Sequence, residues 1–377
     1  MSEPWRPRFH FTPEKGWMND PNGLVYFDGE WHLFFQWEWP RHWGHAVSKD
    51  LVHWEELPPA ILPETKGGVW SGSAVARGDE IVAIFTEEDG GVQYQSIAVS
   101  DDKGRTFTRY AGNPVLREPI KDFRDPAVFW HEPTERWVMV VSIGAGLRLY
   151  GSANLTQWEP LSEFHGLPPE YIWECPDLFL VDGRWVLSAS LIEPQDKRGE
   201  LPGALMRYWV GDFDGVTFTP ETEALILDYG PDFYAAIAYR DSPQPTMIAW
   251  MIYPPYAGKT PNFGWQGTMS AARTLSLRGD RLIQTPVAPP DAIEVVEFDS
   301  ELPAFWRIGE VATLTYTPAS KTLVLERFAS PQLDHPEFAR RTEAVLDSPG
   351  ELILVRDSSS IEIFADNGAA VFTALLF

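Results

Sequence analysis

The stretch Asp20-Pro-Asn-Gly-Leu-Val-Tyr-Phe-Asp-Gly-Glu-Trp-His-Leu-Phe-Phe-Gln36 contains a pattern that recurs along the chain. An acidic residue and a turn former open it, and a short apolar strand follows. Asp28-Gly29 then makes a turn, and an aromatic strand begins at Trp31. Because Asp-Gly between two apolar runs favours a tight reversal, the stretch predicts a β-hairpin introduced by a carboxylate.

The same arrangement returns at intervals of roughly fifty residues, the length of a propeller blade of four short strands. Units open at Asp20, Trp70, Asp125, Glu174 and Asp232, and each continues into a hairpin. A polar turn that ends in an aromatic residue follows at residues 48–54, 100–107, 152–158 and 211–218. Five units predict an all-β fold with a five-bladed β-propeller over residues 1–290.

The repeat ends near residue 290, where the composition changes. Pro286, Pro289 and Pro290 predict a linker. Residues 297–377 alternate apolar and polar positions without an acidic opener. This pattern predicts a short C-terminal β-sandwich domain.

The charge of the chain limits its partners. Its 377 residues include 30 basic and 54 acidic side chains, a formal net charge of −24. Nucleic acids and anionic membranes bind basic surfaces, so we expect neither as a partner. The beginning of the chain lacks the apolar stretch of a secretory signal, which predicts a cytoplasmic protein. A single cysteine, Cys175, excludes an intrachain disulfide and a cysteine-based zinc site.

Acidic residues at the same phase of several units are candidates for catalysis. The first strand of each unit is predicted to be innermost, so all five opening residues are expected at one end of a central channel. Asp20, Asp125 and Glu174 supply three carboxylates from three units. Asp-Pro sequences also form ordinary turns, but turn chemistry does not explain the shared phase. A pair of carboxylates is what hydrolysis of a glycosidic bond requires.

The neighbours of these residues suit different roles. Glu174 lies among apolar residues, which would favour its protonated form by desolvation. Asn19 can donate a hydrogen bond to Asp20 and keep it ionised. Arg124 and Asp125 together could hold adjacent sugar hydroxyls.

Several motifs resemble the signature sequences of glycoside hydrolase family 32, which contains the invertases and fructanases. The similarity covers nearly the whole chain and includes Trp17-Met-Asn-Asp-Pro-Asn-Gly23, Trp43-Gly-His45, Trp70-Ser-Gly-Ser73, Arg124-Asp-Pro126, Trp173-Glu-Cys-Pro176 and Gly264-Trp265. The resemblance implies a five-bladed propeller followed by a β-sandwich. It also implies a retaining exo-β-fructosidase that releases fructose from sucrose or short fructo-oligosaccharides through a covalent intermediate.

The resemblance also implies the role of each site residue. Asp20 would be the nucleophile and Glu174 the general acid/base, while Asp125 would hold fructose hydroxyls and stabilise the transition state. The fructose subsite would be lined by Trp17, Asn19, Gln36, Trp43, Trp70, Ser71, Arg124 and Trp265. No metal ion or organic cofactor is implied, and the expected partner is a small-molecule or oligosaccharide substrate.

Three departures from the family pattern leave the substrate open. Residues 37–43 form a shorter loop containing Trp37, Glu38 and Trp39, which predicts a wide aromatic mouth and poor use of sucrose-6-phosphate. Ala271-Ala-Arg273 replaces the family's Pro-Arg-Glu. The second domain is short, which leaves room for a second copy of the chain in a homo-oligomer.

Other functions stay open at this point. An arabinosidase-like inverting glycosidase would give the opposite product stereochemistry. A fructosyltransferase would pass the same covalent intermediate to a sugar hydroxyl instead of water. A sugar-binding protein without activity is disfavoured by the intact Asp20, Asp125 and Glu174.

Overall fold

The computed structural model describes residues 3–192 and 204–377, and these fold almost entirely into β-strands. The described strands form seven sheets, five in the first part of the chain and two in the last. The 3-10 helices between them are Glu132–Thr134, Pro254–Lys259, Pro290–Ala292, Pro318–Ser320 and Asp366–Gly368. No helix in the described ranges has the length and apolar character needed to cross a membrane.

The first five sheets follow one another along the chain. Sheet I contains β1 (Gly16–Phe27), β2 (Glu30–Trp37), β3 (His42–Ser48) and β4 (Trp54–Ile61). Sheet II contains β5 (Val69–Arg77), β6 (Glu80–Asp89), β7 (Val92–Ser100) and β8 (Thr108–Arg109). Sheet III contains β9 (Phe123–His131), β10 (Arg136–Ile143), β11 (Leu147–Ser152) and β12 (Glu159–Phe164). Sheet IV contains β13 (Ile172–Val181), β14 (Arg184–Ile192), β15 (Ala204–Phe213), β16 (Phe218–Pro220) and β17 (Leu225–Ile226). Sheet V contains β18 (Tyr234–Ala238), β19 (Thr246–Trp250), β21 (Ala272–Arg278) and β22 (Arg281–Val287), while β20 (Trp265–Gln266) pairs with β1.

The last two sheets share one apolar core. One contains β23 (Ile293–Glu297), β28 (Glu351–Arg356), β29 (Ser360–Ala365) and β30 (Ala370–Leu375). The other contains β24 (Ala304–Ile308), β25 (Ala312–Thr317), β26 (Thr322–Arg327) and β27 (Arg340–Val345). Buried residues of both sheets, such as Leu314 and Phe372, belong to the same core cluster, as in a sandwich. Its first strand begins at Ile293, ahead of residue 297, where the sequence placed the start of the domain.

The first strands of sheets I to V contact one another in a closed series. β1 lies beside β5, β5 beside β9, β9 beside β13, β13 beside β18, and β18 beside β1. After β19 the chain returns to sheet I, where Trp265 on β20 pairs in parallel with Gly16 on β1. The beginnings of the five first strands therefore surround a common axis.

A β-bulge recurs near the beginning of each first strand and fixes which residues face that axis. One extra residue interrupts the pairing after Asn22, Val69, Arg124, Glu174 and Tyr234. An unpaired extra residue bends a strand and re-aims its side chains. The next residue has a positive φ in four of the five strands, namely Gly23, Asp125, Cys175 and Ala235. Such a φ costs a residue other than glycine about 1–3 kcal/mol and persists only where its surroundings impose it.

The polar turns between the strands form as the sequence indicates. Ser48 Oγ accepts the N–H of Leu51 at 2.8 Å, and Asp50 accepts a further backbone N–H at 2.8 Å. Trp54 then begins β4. The same turn recurs at residues 152–157. Side-chain oxygens thus replace backbone partners where the chain reverses, which lets the outer strand begin at a fixed residue.

A buried ionic network joins sheet V to the sandwich, and we call it the interface cluster: His10, Asp228, Asp232, Arg273, Arg327, Asp357 and Glu362. Arg273 is fully buried and donates to Asp228 at 2.9 Å and to Glu362 at 2.5 Å. Ala271 donates its N–H to Glu362 at 2.9 Å. The departure from the family pattern at residues 271–273 therefore lies where the two parts of the chain meet.

Candidate active site

Asp20 lies near the beginning of β1, where it meets residues of sheets II and IV. Ser71 on β5 donates a hydrogen bond to Asp20 Oδ2 at 2.8 Å. Cys175 Sγ lies 3.9 Å from the same oxygen and 3.8 Å from Asp125 Oδ2. Burial and the surrounding carboxylates raise the pKa of the Cys175 thiol, so it keeps its proton and acts as a weak donor. One thiol therefore contacts two of the three candidate carboxylates.

Asp125 is held from two sides in its left-handed conformation. Its N–H donates to Thr86 Oγ1 at 2.9 Å, and its Oδ2 accepts the N–H of Cys175 at 3.0 Å. Thr86 donates in turn to Gln95 at 2.7 Å, and the Gln95 amide donates to the Phe123 carbonyl at 2.9 Å. Because one bond holds the backbone of Asp125 and the other holds its carboxylate, the strained residue keeps one orientation.

Arg124 connects Asp125 with Glu174. Its Nη2 donates to Glu174 Oε1 at 3.0 Å, its Nη1 donates to Asp122 at 2.7 Å, and its Nε lies 3.8 Å from Asp125 Oδ2. Only 7% of the side chain is exposed, and Nε has no hydrogen-bond partner in the part of the chain that the structure describes. A buried N–H without a partner is costly in a stable fold, so this one is suited to a ligand oxygen.

Tyr234 is a site residue that the sequence analysis missed. Its buried hydroxyl donates to Glu174 Oε2 at 2.6 Å, so each carboxyl oxygen of Glu174 has its own donor. Tyr234 and Glu174 occupy the same position relative to the bulge of their strands. Aligning the units on that position, rather than on their acidic residues, would have identified Tyr234.

The expectation that Asp232 joins the other opening residues is wrong. Asp232 is fully buried and pairs with Arg327, which extends from the sandwich strand β26. The Tyr256 hydroxyl also donates to it, and the N–H of Leu375 does so at 2.8 Å. Asp232 therefore belongs to the interface cluster and stabilises the contact between the two parts of the chain.

Asp125 is the deeper carboxyl of the pair that Arg124 contacts, with 6% of its side chain exposed against 23% for Glu174. Burial and the charges of Glu174 and Asp20 raise the pKa of Asp125 to about 7, although Arg124 opposes the rise. The sequence led us to expect the desolvated carboxyl at Glu174. Below neutral pH, Asp125 thus carries a proton and the negative charge of the site is reduced by one.

The aromatic residues expected around a fructose lie at different depths. Trp17 and Trp70 are partly exposed near Asp20. Trp43 is fully buried and donates its indole N–H to the Trp70 carbonyl at 2.9 Å, so it supports Trp70 from behind. Trp265 is buried beneath the guanidinium of Arg6, which lies 4.7 Å from the ring centroid.

The expected polar residues lie beside the same carboxylates. Asn19 is buried and accepts the indole N–H of Trp17 at 3.0 Å. Gln36 is buried, and its Oε1 has no hydrogen-bond partner among residues 3–192 and 204–377. Together with Arg124 Nε, this atom gives the site an acceptor and a donor that the protein leaves unpaired. Such a pair suits a ligand rich in hydroxyl groups.

Family models match both parts of the chain. The glycosyl hydrolases family 32 N-terminal domain matches residues 10–286, and the family's C-terminal domain matches residues 308–377. The chain belongs to glycosyl hydrolase family 32. Membership in this family, which the motifs predicted, is therefore confirmed.

Curated relatives of this family 32 chain include fructan hydrolases. A levanase from Bacillus subtilis is 46% identical over 77% of this chain and 48% of its own length. An extracellular exo-inulinase from Aspergillus niger is 38% identical over 73% of this chain and 63% of its own length. The chain thus spans less than two thirds of the length of these relatives.

Solved structures of the family superpose on nearly the whole chain. An exo-inulinase from Aspergillus awamori has a TM-score of 0.87 at 30% identity, covering 100% of this chain and 93% of its own. A β-fructofuranosidase from Schwanniomyces occidentalis, complexed with fructosyl-erythritol, has a TM-score of 0.87 at 31% identity, covering 99% and 91%. The predicted all-β fold with a propeller followed by a sandwich is confirmed.

The relatives correct the expected location. The sequence led us to expect a cytoplasmic protein, but relatives from Aspergillus niger and Meyerozyma guilliermondii are named extracellular exo-inulinases. The cytoplasmic expectation is therefore wrong, because relatives that match most of this chain are named as extracellular proteins. The apolar character of the first residues was too weak a criterion to decide this.

Proposed function

We propose that this chain is a retaining exo-β-fructosidase, which hydrolyses terminal β-D-fructofuranosyl bonds of sucrose or short fructo-oligosaccharides. One observation carries the proposal: three carboxylates are joined by two shared partners. Cys175 contacts Asp20 and Asp125, while Arg124 contacts Asp125 and Glu174. A nucleophile and an acid/base on either side of one small site are what retaining hydrolysis needs.

Asp20 is the nucleophile in this proposal. Both contacts that described residues make with its carboxylate fall on Oδ2, which leaves Oδ1 for the attack. A bond forms from Oδ1 to the anomeric carbon of the fructosyl unit while the bond from that carbon to the glycosidic oxygen breaks. Ser71 holds Oδ2 during the attack and keeps the carboxylate oriented.

Glu174 is the general acid and then the general base. It gives its proton to the departing glycosidic oxygen and later takes a proton from the water that hydrolyses the fructosyl ester. Tyr234 and Arg124 each hold one oxygen of its carboxyl group, which fixes the direction in which the proton moves. Catalysis by a positioned carboxyl contributes about 10²–10⁴-fold in rate.

Asp125 and Arg124 bind the sugar in this proposal. The buried Arg124 Nε supplies a donor, and the Asp125 carboxyl can accept from one fructose hydroxyl or donate to another. Negative charge on Asp125 also stabilises the positive charge that develops on the sugar ring in the transition state. The pKa near 7 means that this stabilisation strengthens as the pH approaches neutrality.

The substrate class rests on the relatives. A levanase and exo-inulinases are named for action on fructans, and the β-fructofuranosidase with fructosyl-erythritol carries a fructosyl ligand. We extend this class to the present chain because it is 46% identical to the levanase and 38% identical to an exo-inulinase over the matched residues. Among fructosyl compounds, sucrose and short fructo-oligosaccharides fit the wide opening of the active site that is expected from the short loop at residues 37–43.

Products from sucrose, 1-kestose, inulin and levan test the proposal. With inulin and levan, chromatography should show free fructose from the earliest time point. It should show no shorter fructans, which cleavage in the middle of the polysaccharide would produce. Added methanol should yield methyl β-D-fructofuranoside, because a covalent intermediate can be captured with retention. Formation of methyl α-D-fructofuranoside instead would exclude the retaining mechanism, and release of arabinose from arabinan would exclude the proposed substrate. If the products contain more elongated fructo-oligosaccharides than free fructose, the chain is a fructosyltransferase.

A further inference from the structure

A groove of about 780 Å³ lies at the end of the propeller axis opposite the candidate active site. Asp125 and Glu174 lie near the beginnings of β9 and β13, whereas the groove is lined by residues near the ends of those strands, including His131 and Leu180. At ~3.3 Å per residue, the chain from Asp125 to His131 covers about 20 Å. The groove is therefore separate from the three candidate carboxylates.

Arg240 lies between the groove and the candidate active site. It lines both the groove and a small cavity next to Asp125. Its Nε donates to the Val128 carbonyl at 2.8 Å, and its guanidinium pairs with Asp177. The N–H of Ala238 donates to Asp177 at 2.7 Å and holds the pair in place. A ligand in the groove is thus kept apart from Asp125, and the charge of Arg240 is already neutralised.

Two neighbouring sheets present exposed apolar side chains to the groove, each backed by a tryptophan. On sheet III, Trp130 is 41% exposed and lies opposite Trp137, with 5.2 Å between the ring centroids. The Trp130 indole N–H donates to Glu132 at 2.5 Å, which fixes the orientation of the ring. On sheet IV, Leu180 is 49% exposed and lies opposite Trp185. The groove thus offers flat, rigid apolar surfaces before any ligand binds, which lowers the entropy cost of binding.

Three carboxylates beside these surfaces each keep one oxygen for a ligand. Asp212 accepts the N–H of the next residue at 2.9 Å, and Asp241 accepts the N–H of Ala76 at 2.9 Å. Glu132 accepts the indole N–H of Trp130. No residue in the described ranges bonds to the second oxygen of any of the three. Carboxylate oxygens of this kind accept hydrogen bonds from hydroxyl groups.

The charge and the size of the groove narrow the choice of ligand. Of the described residues that line it, Arg240 alone carries a permanent positive charge, and Asp177 pairs with it. A phosphate or a nucleic acid is therefore repelled. The volume falls within the ~300–1,000 Å³ of small-ligand sites, which suits a few sugar rings rather than a folded protein. Apolar faces with hydroxyl acceptors beside them fit a neutral carbohydrate.

We infer that this groove binds a stretch of a fructan chain at a second site, separate from the one that cleaves it. Trp130 and Leu180 contact the apolar faces of the sugar rings, while the three carboxylates accept hydrogen bonds from their hydroxyl groups. The inference rests on the proposed function, because its ligand is the polymer whose terminal units that function removes. A polymer held here has a raised effective concentration near the active site of the same molecule.

Inulin binding by a chain that cannot cleave it tests this second site. In the Glu174→Gln background, native electrophoresis through gels containing inulin gives a dissociation constant from the retardation. Adding Trp130→Ala or Leu180→Asn should raise that constant about threefold to tenfold, the equivalent of one aromatic or apolar contact. Trp130→Tyr, which keeps a flat ring, should recover most of the loss. In the active chain, Trp130→Ala should raise KM for inulin by a similar factor and leave kcat/KM for sucrose within about twofold.

Tyr110→Ala is the matched control, because it removes an aromatic side chain that is 43% exposed and lies outside the groove. It should change neither the binding nor the kinetics. Unchanged retardation in Trp130→Ala, or an equal loss of activity with sucrose, would overturn the second site. Retardation by polylysine but not by inulin would also overturn it, since the carboxylates would then bind a cation. A wild-type chain that cleaves no fructofuranoside would instead contradict the proposed function, and the binding measurement does not depend on cleavage.

Discussion

The candidate active site and the interface cluster each hold a buried arginine between two carboxylates. Arg124 lies between Asp125 and Glu174, and Arg273 lies between Asp228 and Glu362. All three nitrogens of the Arg273 guanidinium donate to side-chain oxygens, at 2.5–3.2 Å. The Nε of Arg124 has no hydrogen-bond partner in the described ranges. The same residue types are therefore fully paired at one location and incompletely paired at the other.

The difference in pairing changes how the carboxyl groups titrate. Burial and the charges of Glu174 and Asp20 raise the pKa of Asp125 to about 7, and Arg124 offsets this rise only in part. Burial would also raise the pKa of Glu362, but Arg273 and His10 together lower it to about 2. In the saturated network, Glu362 thus stays ionised at every physiological pH. In the active site, where Arg124 is incompletely paired, Asp125 can gain or lose a proton near neutral pH, as catalytic groups do.

The largest effect is expected on turnover when the active-site carboxylates are neutralised. Asp20→Asn removes the attacking oxygen, and Glu174→Gln removes the proton donor. Each should lower kcat by at least about 10²–10⁴-fold while the melting temperature stays close to that of the wild type. Initial rates with sucrose measure the fall in kcat, and a thermal scan measures the melting temperature. A variant that keeps more than a tenth of the wild-type rate (about 1.4 kcal/mol) would show that its residue has another role.

The matching change in the interface cluster should affect stability instead. Arg273→Met leaves Asp228 and Glu362 buried without their partner, which should lower the free energy of unfolding by about 3–5 kcal/mol. Urea denaturation measures the loss, and kcat per folded molecule should be unchanged. Arg341→Met is the control, because it breaks an exposed ion pair worth less than about 1 kcal/mol. A large fall in kcat without a loss of stability would mean that the two clusters are not separate.

A smaller effect on turnover is expected from Tyr234. Tyr234→Phe removes the hydroxyl that holds Glu174 Oε2, which should lower kcat about tenfold and shift its pH profile, with KM little changed. Tyr239→Phe is a close control, since that buried hydroxyl has no hydrogen-bond partner in the described chain. Equal effects of the two substitutions would indicate a packing role for Tyr234 only.

The smallest expected effect is a pH-dependent change in stability at His10. Burial alone would lower the pKa of His10, but the hydrogen bonds that its ring donates to Asp357 and Glu362 raise it above its ordinary value. A raised pKa stabilises the fold below about pH 6.5, and this stabilisation is lost as the pH rises through the folded-state value. His10→Gln should therefore be less stable than the wild type near pH 6, with the gap closing in alkaline solution.

Urea denaturation midpoints across this pH range measure the difference in stability between His10→Gln and the wild type. The control is His53→Gln, because the His53 side chain is exposed. A gap that widens with rising pH would show that His10 is neutral in the folded protein. Arg8 and Arg273 also face these carboxylates, so both variants keep them unchanged.

The sequence was sufficient for features that depend on local pattern. The period of the units predicted the strands, and the motifs around Asp20, Asp125 and Glu174 predicted residues that the fold brings together. The role of Asp232 could not be read in this way, because its partner Arg327 is 95 positions away in another sheet. Tyr234 was missed for a related reason. The units were aligned on their acidic residues, whereas Tyr234 shares with Glu174 a bulge position that is set by strand pairing.

Mass spectrometry of the Glu174→Gln variant tests the central claim most directly. β-D-Fructofuranosyl fluoride needs no proton donor to lose fluoride, so the first step should proceed, while hydrolysis of the ester should be slow without a general base. The predicted result is one fructosyl group on the peptide that contains Asp20, and none when Asp20→Asn is added. A label on a different residue, or complete hydrolysis of the fluoride with no labelled peptide, would contradict a covalent mechanism at Asp20.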